Sequence, residues 1–346
     1  MDEIRDPDLV AQLEEARGGP GFAIVQRHLA EKQRERDEVQ SRRALMSPHR
    51  HRRDVIREVI ANKDISENDI GYIHSVLALC GFPYRRPKDT VREWQREYGR
   101  NSLYVAAGAL KNPETGLMES QGLPYGPKAR LLMIHICSEA ILQRSKTIEL
   151  DSSFTAFVRA MGFEPSGGKR GNITQFKEQL NRIAACNISI GFWDGDGGAE
   201  TVKATPIKKF SIWLPQDADQ RLLWSSTLTF DQEFHDSLMK HALPVDLRGV
   251  AAFRGSARKL DIVLWLGFRL RYLTRQTVLT WSVIEEQFGA GIQNKRVFRK
   301  QFEQEISDIK EIYTRLPIKI TARGLHMSPA DTDKLFVPPK RLLKQA

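Results

Sequence analysis

One pattern of elements occurs twice in this chain, and it constrains the fold more than any other feature. In each copy a long apolar helix leads through a short β-type segment into a second helix, a basic turn with glycine, and a third, amphipathic helix. The corresponding blocks are residues 147–150 with 277–280, 154–162 with 281–289, and 176–180 with 298–302. The copies are offset by 130, 127 and 122 residues at these blocks, which indicates a duplicated domain.

The order of elements within each copy predicts the fold class. A helix, a tight turn and a second helix with polar exposed side chains form a helix-turn-helix, and trailing strands would make each copy a winged helix. We therefore predict an α+β, mainly helical fold with two tandem winged-helix domains and a charged N-terminal extension. The predicted boundaries are 1–97 for a helical or partly disordered extension and linker, 98–240 and 241–330 for the two domains, and 331–346 for a tail.

The third helix of each copy supplies the candidate DNA-binding side chains. Burial of its apolar stripe leaves polar residues toward solvent or toward a DNA groove. Arg and Gln match the major-groove edges of guanine and adenine, and Lys and Arg also neutralise phosphate. The predicted contacts are Lys169, Arg170, Asn172, Thr174, Gln175, Lys177 and Arg182 in the first copy, and Lys295, Arg296, Arg299, Lys300 and Gln304 in the second. The alternative is a solvated helix face, on which Arg299 or Lys300 pairs with Glu303.

The distribution of charge favours the second copy as the main DNA contact. The 346 residues carry a net charge of +10, which favours a polyanionic partner. Residues 121–235 hold 13 Lys and Arg against 12 Asp and Glu, whereas residues 247–323 hold 15 against 7. Because clustered cations release counterions from DNA, we expect the second copy to supply most of the nonspecific affinity.

Two further segments carry predictions with open alternatives. Residues 188–192 and 208–214 are expected to be wing strands around a glycine-rich tip at 194–198. Residues 27–53 favour a charged, solvated helix over a basic arm, because acidic residues lie close to the arginines. The arginines that such an arm would use are Arg42, Arg43, Arg50, Arg52 and Arg53.

Three features suggest an enzyme, and each has a simpler explanation. Residues 162–170 lack the first glycine and the hydroxyl residue of a phosphate-binding loop. Asp194 and Asp196 could hold a metal in a primase-like site, but the glycines around them indicate a hairpin tip. The pair His49 and His51, which vaguely resembles that of a nickase, lies in a basic stretch. We therefore expect no catalytic residue, metal or cofactor.

Cysteine content and hydropathy indicate the compartment. The three cysteines form no close pair and no metal-type spacing, which fits a reducing cytoplasm. No segment approaches the roughly 20 apolar residues that span a bilayer, and the first residues are acidic rather than signal-like. We expect a soluble cytoplasmic protein without a membrane partner.

Several blocks in the same order resemble one known family. They include Gly-Leu-Pro-Tyr-Gly-Pro-Lys-Ala-Arg at 122–130, Ser-Phe-Thr-Ala-Phe-Val-Arg at 153–159 and Phe-Lys-Glu-Gln-Leu at 176–180. Pro-Val-Asp-Leu-Arg at 244–248, Leu-Asp-Ile-Val-Leu-Trp-Leu at 260–266 and Glu-Gln-Phe-Gly at 286–289 continue them. Over roughly residues 98–329 the chain resembles the plasmid-encoded RepA-type replication initiators of Gram-negative bacteria.

The resemblance implies a function as well as a fold. Such initiators bind repeated origin sites, the iterons, in double-stranded DNA, promote opening of an adjacent AT-rich region and help to recruit the host initiator and helicase. Many also repress their own promoter as dimers, which implies a homodimer in equilibrium with a monomer. The alternatives are a winged-helix transcriptional repressor and, from another class, a primase-like enzyme.

Overall fold

A computed structural model describes residues 4–62, 64–112, 115–149, 154–168, 170–211 and 227–329. The chain divides into two compact units, Met1–Glu58 and Val59–Ala346. Within the described ranges the fold is mainly helical, with several small antiparallel sheets. No helix in those ranges is both long enough and apolar enough to cross a bilayer.

The first unit is built from helices α1 (Pro7–Glu15), α2 (Phe22–Ala44) and α3 (Pro48–Asn62), the last of which continues past the unit boundary. Polar contacts hold α1 against α2. The Gln33 side-chain oxygen accepts hydrogen bonds from the backbone N–H groups of Arg5 and Asp6 at 3.1 and 3.0 Å. Arg36 pairs with the carboxylates of Asp6 and Asp8, each at 2.8 Å. The charged segment 27–53 thus lies in α2, a short turn and α3.

The second unit begins with β1 (Ile70–His74), α4 (Ser75–Cys80), β2 (Glu93–Tyr98), β3 (Asn101–Ala106), β4 (Ala109–Lys111) and β5 (Met118–Ser120). The first repeat follows with α5 (Gly126–Leu142), β6 (Thr147–Glu149), α6 (Phe154–Ala160), α7 (Asn172–Ala185), β7 (Asn187–Trp193), β8 (Ala199–Ala204), β9 (Ile207–Ser211) and β10 (Thr227–Phe230). Next come α8 (Gln232–His241), β11 (Ala242–Asp246), α9 (Leu247–Phe253), α10 (Ala257–Arg271), β12 (Thr277–Thr280), α11 (Trp281–Phe288), α12 (Lys295–Ile312), β13 (Ile318–Thr321) and β14 (Gly324–Met327).

The two repeats share one topology. Helices α5, α6 and α7 with strands β6, β9 and β10 correspond in order to α10, α11 and α12 with β12, β13 and β14. Each repeat has a three-stranded antiparallel sheet in which the last strand lies in the middle, β6-β10-β9 in one and β12-β14-β13 in the other. The first repeat differs by the β7–β8 hairpin inserted between α7 and β9.

The predicted partner of the strand at 188–192 was wrong. This strand, β7, pairs with β3 and β8 in the four-stranded sheet β2-β3-β7-β8. Residues 208–211 belong instead to β9, which pairs with β10, and residues 212–214 lie outside the described residues. Strand β8 was missed because it lacks the regular apolar alternation of a half-buried strand.

The tip of this hairpin is a hydrogen-bonded turn. The Asp194 carboxylate oxygen Oδ1 accepts hydrogen bonds from the backbone N–H groups of Asp196 and Gly198 at 2.8 and 3.0 Å. Gly195 and Gly197 have φ angles of 95° and 98°, in the left-handed region that favours glycine. The hairpin-tip interpretation of residues 194–198 therefore accounts for the glycines and for one of the two aspartates.

A strand pair and a buried ion pair connect distant segments of the second unit, and the ion pair links the two repeats. Strands β1 and β11 pair antiparallel, from Ile70 opposite Asp246 to His74 opposite Ala242. Arg130 is the fifth residue of α5, and Asp261 is the fifth residue of α10. Their side chains pair with Nε–Oδ1 at 2.5 Å and Nη2–Oδ2 at 2.8 Å. Corresponding positions of the duplicated domain therefore meet in the core between the repeats.

Candidate nucleic-acid interface

Helix α12 is the better developed of the two candidate DNA-reading helices. Phe298, Phe302, Ile306 and Ile309 form its buried stripe. The ring of Phe302 lies 5.7 Å from that of Phe288 on α11, which packs the two helices together. Because one face of α12 is buried in this way, its other face is left to solvent along its whole length.

The turn before α12 has a defined geometry. Helix α11 ends at Phe288 and is capped by Gly289. The Gly289 carbonyl accepts a hydrogen bond from the Ile292 N–H at 3.0 Å, and Gly291 has a φ of 83°. The Asn294 side-chain oxygen then caps α12 by accepting from the N–H groups of Arg296 and Val297 at 3.0 and 3.2 Å. Asn294 was not among the predicted site residues, although an Asn directly before an amphipathic helix is a capping signal.

The predicted cations of α12 divide into two groups. Lys295 and Arg299 both turn toward Glu285 on α11, with N–O distances of 3.6 and 3.3 Å. The Arg299 guanidinium also lies over the Trp281 ring, 5.2 Å from its centroid. Arg299 therefore has an intramolecular partner, but this is Glu285 rather than the Glu303 considered from the sequence.

Arg296 and Lys300 form the second group. Both are exposed, and neither has an ion pair or a side-chain hydrogen bond with any residue in the described ranges. Gln304 is also exposed, and its amide donates to Asp308 Oδ1 at 3.0 Å. Arg296 and Lys300 are therefore the predicted α12 residues best placed to bind an external anion.

In the first repeat the predicted polar side chains mostly stabilise the turn before α7. The Asn172 amide donates to the Glu164 carbonyl at 2.9 Å, and the Thr174 hydroxyl donates to the Gly168 carbonyl at 2.8 Å. Gln175 donates to the Arg170 carbonyl at 2.8 Å and accepts from the Lys128 ammonium at 2.6 Å. These side chains hold a loop in place, which leaves them less able to contact DNA.

Three other predicted residues of this repeat have different environments. Arg170 is exposed at the end of the turn, and Lys177 is half-buried on α7. Lys169 lies outside the described residues. Of the predicted cations in the described part of the turn and helix, Arg170 is thus the most exposed.

Arg182 requires a correction, because it is buried rather than exposed to a groove. Arg182 is only 6 % exposed, and its guanidinium lies 5.2 Å from the Tyr125 ring centroid. Nη1 donates to the Leu123 carbonyl at 3.0 Å, and Nη2 donates to Glu178 at 2.8 Å. The segment before α5 covers this part of α7, and helical periodicity alone does not show such a cover.

The described residues give no sign of a metal centre. They contain no group of three or more His, Cys, Asp or Glu side chains that could hold a metal ion. Asp194 is engaged by the backbone of its own turn. Cys80, Cys137 and Cys186 are buried, and burial raises the pKa of each thiol to about 12.

Comparisons with known proteins found a matching family model and solved structures with distant similarity to this chain. Domains 2 and 3 of RctB are similar at 9 % identity and a TM-score of 0.44, covering 68 % of this chain and 85 % of that one. A second RctB structure of domains 2–3 gives 9 % identity and a TM-score of 0.43, with 75 % and 98 % covered. No curated protein matches the chain.

The family match covers the first repeat and the beginning of the second. Residues 123–283 match the model of the family described as plasmid-encoded RepA protein. This segment runs from just before α5 into α11, so it ends before α12. Over residues 123–283 the resemblance of this chain to the plasmid-encoded RepA proteins is therefore confirmed.

Proposed function

We propose that this protein is a plasmid replication initiator that binds iterons in double-stranded origin DNA through two winged-helix domains. The family match supports a replication initiator. The observation that carries the DNA-binding mode is the repeated order of helix, strand, helix, helix, strand and strand, with its three-stranded sheet. In a winged helix of this order the third helix enters the major groove, which assigns that role to α7 and α12.

Helix α12 is proposed as the principal reader. Its solvent face carries Arg296 and Lys300 close to the N-terminus, where a recognition helix contacts base edges. The second repeat also holds the excess of positive charge, with 15 Lys and Arg against 7 Asp and Glu in residues 247–323. Arg323, exposed in the turn between β13 and β14, would place a cation at the wing. Affinity from these groups should fall with added salt.

The first repeat is proposed to contribute fewer DNA contacts and to bind protein as well. Its polar side chains are largely used within the turn before α7, and residues 121–235 have a nearly balanced charge. We infer that it supports a homodimer in equilibrium with a monomer, and contacts with the host initiator and helicase. Sedimentation with and without iteron DNA tests the change in oligomeric state.

We further propose that the protein acts in the cytoplasm without catalysis of its own. Origin opening would then depend on binding energy, host factors and supercoiling, because added protein–DNA contacts offset the energy needed to bend or untwist the DNA. A repressor would bind DNA through the same helices but would not open the origin. Chemical probing of unpaired bases on a supercoiled origin plasmid, with and without ATP, distinguishes these functions. Nicking or primer synthesis that is lost in an Asp194→Ala, Asp196→Ala double variant would instead support the alternative of a primase-like enzyme.

The DNA-binding proposal is tested by a footprint across the cognate origin and by one double variant. Arg296→Ala with Lys300→Ala should weaken iteron binding by about 1–3 kcal/mol for each base-directed contact that is lost. The matched control is Arg315→Ala, an exposed arginine three residues beyond the C-terminal end of α12, a helix of 18 residues that is about 27 Å long by its rise per residue. Unchanged iteron affinity in a folded double variant would refute the role of α12.

A further inference from the structure

The first turn of α12 departs from what helix stability favours. The partial positive charge at a helix N-terminus favours acidic residues, yet this turn holds none and begins instead with Lys295 and Arg296. The third position is Val297, a β-branched residue with modest helix propensity, and it is 45 % exposed. A single exposed apolar side chain is ordinary on a protein surface. Here the exposed valine lies next to Lys295 and Arg296, which the positive end of the helix disfavours. This combination points to a role of the first turn in binding a partner.

The position of Val297 is well defined. Its N–H is one of the two that the Asn294 side chain caps, so the backbone of this turn is held in place. A valine in a helix has one strongly preferred χ1 rotamer, and its methyl groups therefore point in one direction with little entropy to lose on binding. At 3.6 residues per turn, Val297 shares a face with Lys300 and Gln304, both exposed.

The neighbouring cations leave this face accessible. Lys295 and Arg299 lie on the other flank of the helix and turn toward Glu285. Arg296 and Lys300, which have no ion pair among the described residues, border the valine and can reach phosphates or guanine edges. The surface thus combines a short, rigid apolar group with long flexible cations.

We propose that Val297 contacts the C5-methyl group of a thymine in the major groove and makes the second repeat select an A·T pair at that position. Thymine alone presents a methyl group in the major groove, so an aliphatic side chain there distinguishes it from the other bases. This inference rests on the proposed DNA-binding function and adds to it a specificity-determining residue. Val297 acts by shape and apolar contact, whereas Arg296 and Lys300 act by charge and hydrogen bonding.

The test begins with selection of the preferred DNA. The full-length protein is used to enrich duplexes from a library randomised over about 20 base pairs, roughly two helical turns. Dissociation constants are then measured on the enriched duplex and on duplexes in which each thymidine in turn is replaced by deoxyuridine, which removes only the methyl group. The proteins compared are the wild type, Val297→Ala, and Val278→Ala as a control with a valine of similar exposure, 40 %, on β12.

The wild type should lose affinity at one thymidine by about fourfold, the effect of one buried methyl group. Val297→Ala should bind the unmodified duplex more weakly by a similar factor and should be insensitive to deoxyuridine at that position. Val278→Ala should retain the wild-type response, and circular dichroism should show both variants folded. An identical deoxyuridine profile for the wild type and Val297→Ala would overturn this inference while DNA binding stands. If the wild type enriches no sequence, the proposed function fails, and this inference fails with it.

Discussion

Replacing Asp261 with alanine should destabilise the junction between the two repeats more than most single substitutions in this chain. The Asp261 carboxylate is buried and pairs with Arg130 at 2.5 and 2.8 Å. It also accepts a hydrogen bond from Arg96 Nη1 at 3.5 Å. Removing this one side chain therefore leaves two buried guanidinium groups without their counter-charge.

The magnitude follows from the burial of Arg130. Burial by itself lowers the pKa of this guanidinium, but the adjacent Asp261 charge outweighs that effect and raises it. Arg130 would retain the carbonyl oxygens of Phe82 and Gly126 as acceptors, and these carry no full charge. Breaking a buried pair by removing one partner costs about 3–5 kcal/mol. Domains are stable by only about 5–15 kcal/mol, so Asp261→Ala should lose a large part of the stability of the second unit.

Urea unfolding followed by tryptophan fluorescence measures this loss. The control is Asp236→Ala at an exposed aspartate, and this substitution should change the free energy of unfolding by less than about 0.5 kcal/mol. Asp261→Asn should fall between the wild type and Asp261→Ala, because its amide oxygen still accepts a hydrogen bond. The apolar double replacement Arg130→Met with Asp261→Leu should recover much of the loss. A loss below about 1 kcal/mol in Asp261→Ala would refute the reasoning, since it would mean that the buried arginines need no counter-charge.

Two further predictions follow from buried titratable groups. His74 is buried, and desolvation followed by the nearby His241 lowers its pKa from 6.5 to about 3. The unfolded state therefore binds the proton more readily than the folded state. The free energy of unfolding should fall by up to about 1.4 kcal/mol per pH unit as the pH drops from about 6.5 toward 3. The His74→Asn variant should lose this part of the slope in acid titrations, and an unchanged slope would contradict the prediction. The pKa of each buried cysteine is raised to about 12 by desolvation, so iodoacetamide at pH near 8 should alkylate Cys80, Cys137 and Cys186 only after unfolding, as mass spectrometry would show.

Local periodicity in the sequence was enough to predict the duplicated helices and the exposed cations of the second repeat. Apolar residues at helical spacing mark the buried stripe of α12, and the residues between them, Arg296 and Lys300 included, are exposed. Such a stripe depends only on neighbours within a few positions of the chain. The family resemblance added the prediction of a role in replication, and the family match confirms that resemblance over residues 123–283.

Tertiary structure decided the features that depend on contacts between distant segments. Strand β7 pairs with β3 and β8, and the segment around Leu123 covers the buried Arg182. The pairing of β1 with β11 joins positions that are 168 to 176 residues apart, and the Arg130–Asp261 pair joins the two repeats. Strand pairing and the burial of charge are set by which surfaces meet, and periodicity within one segment carries no information about the segment that will cover it.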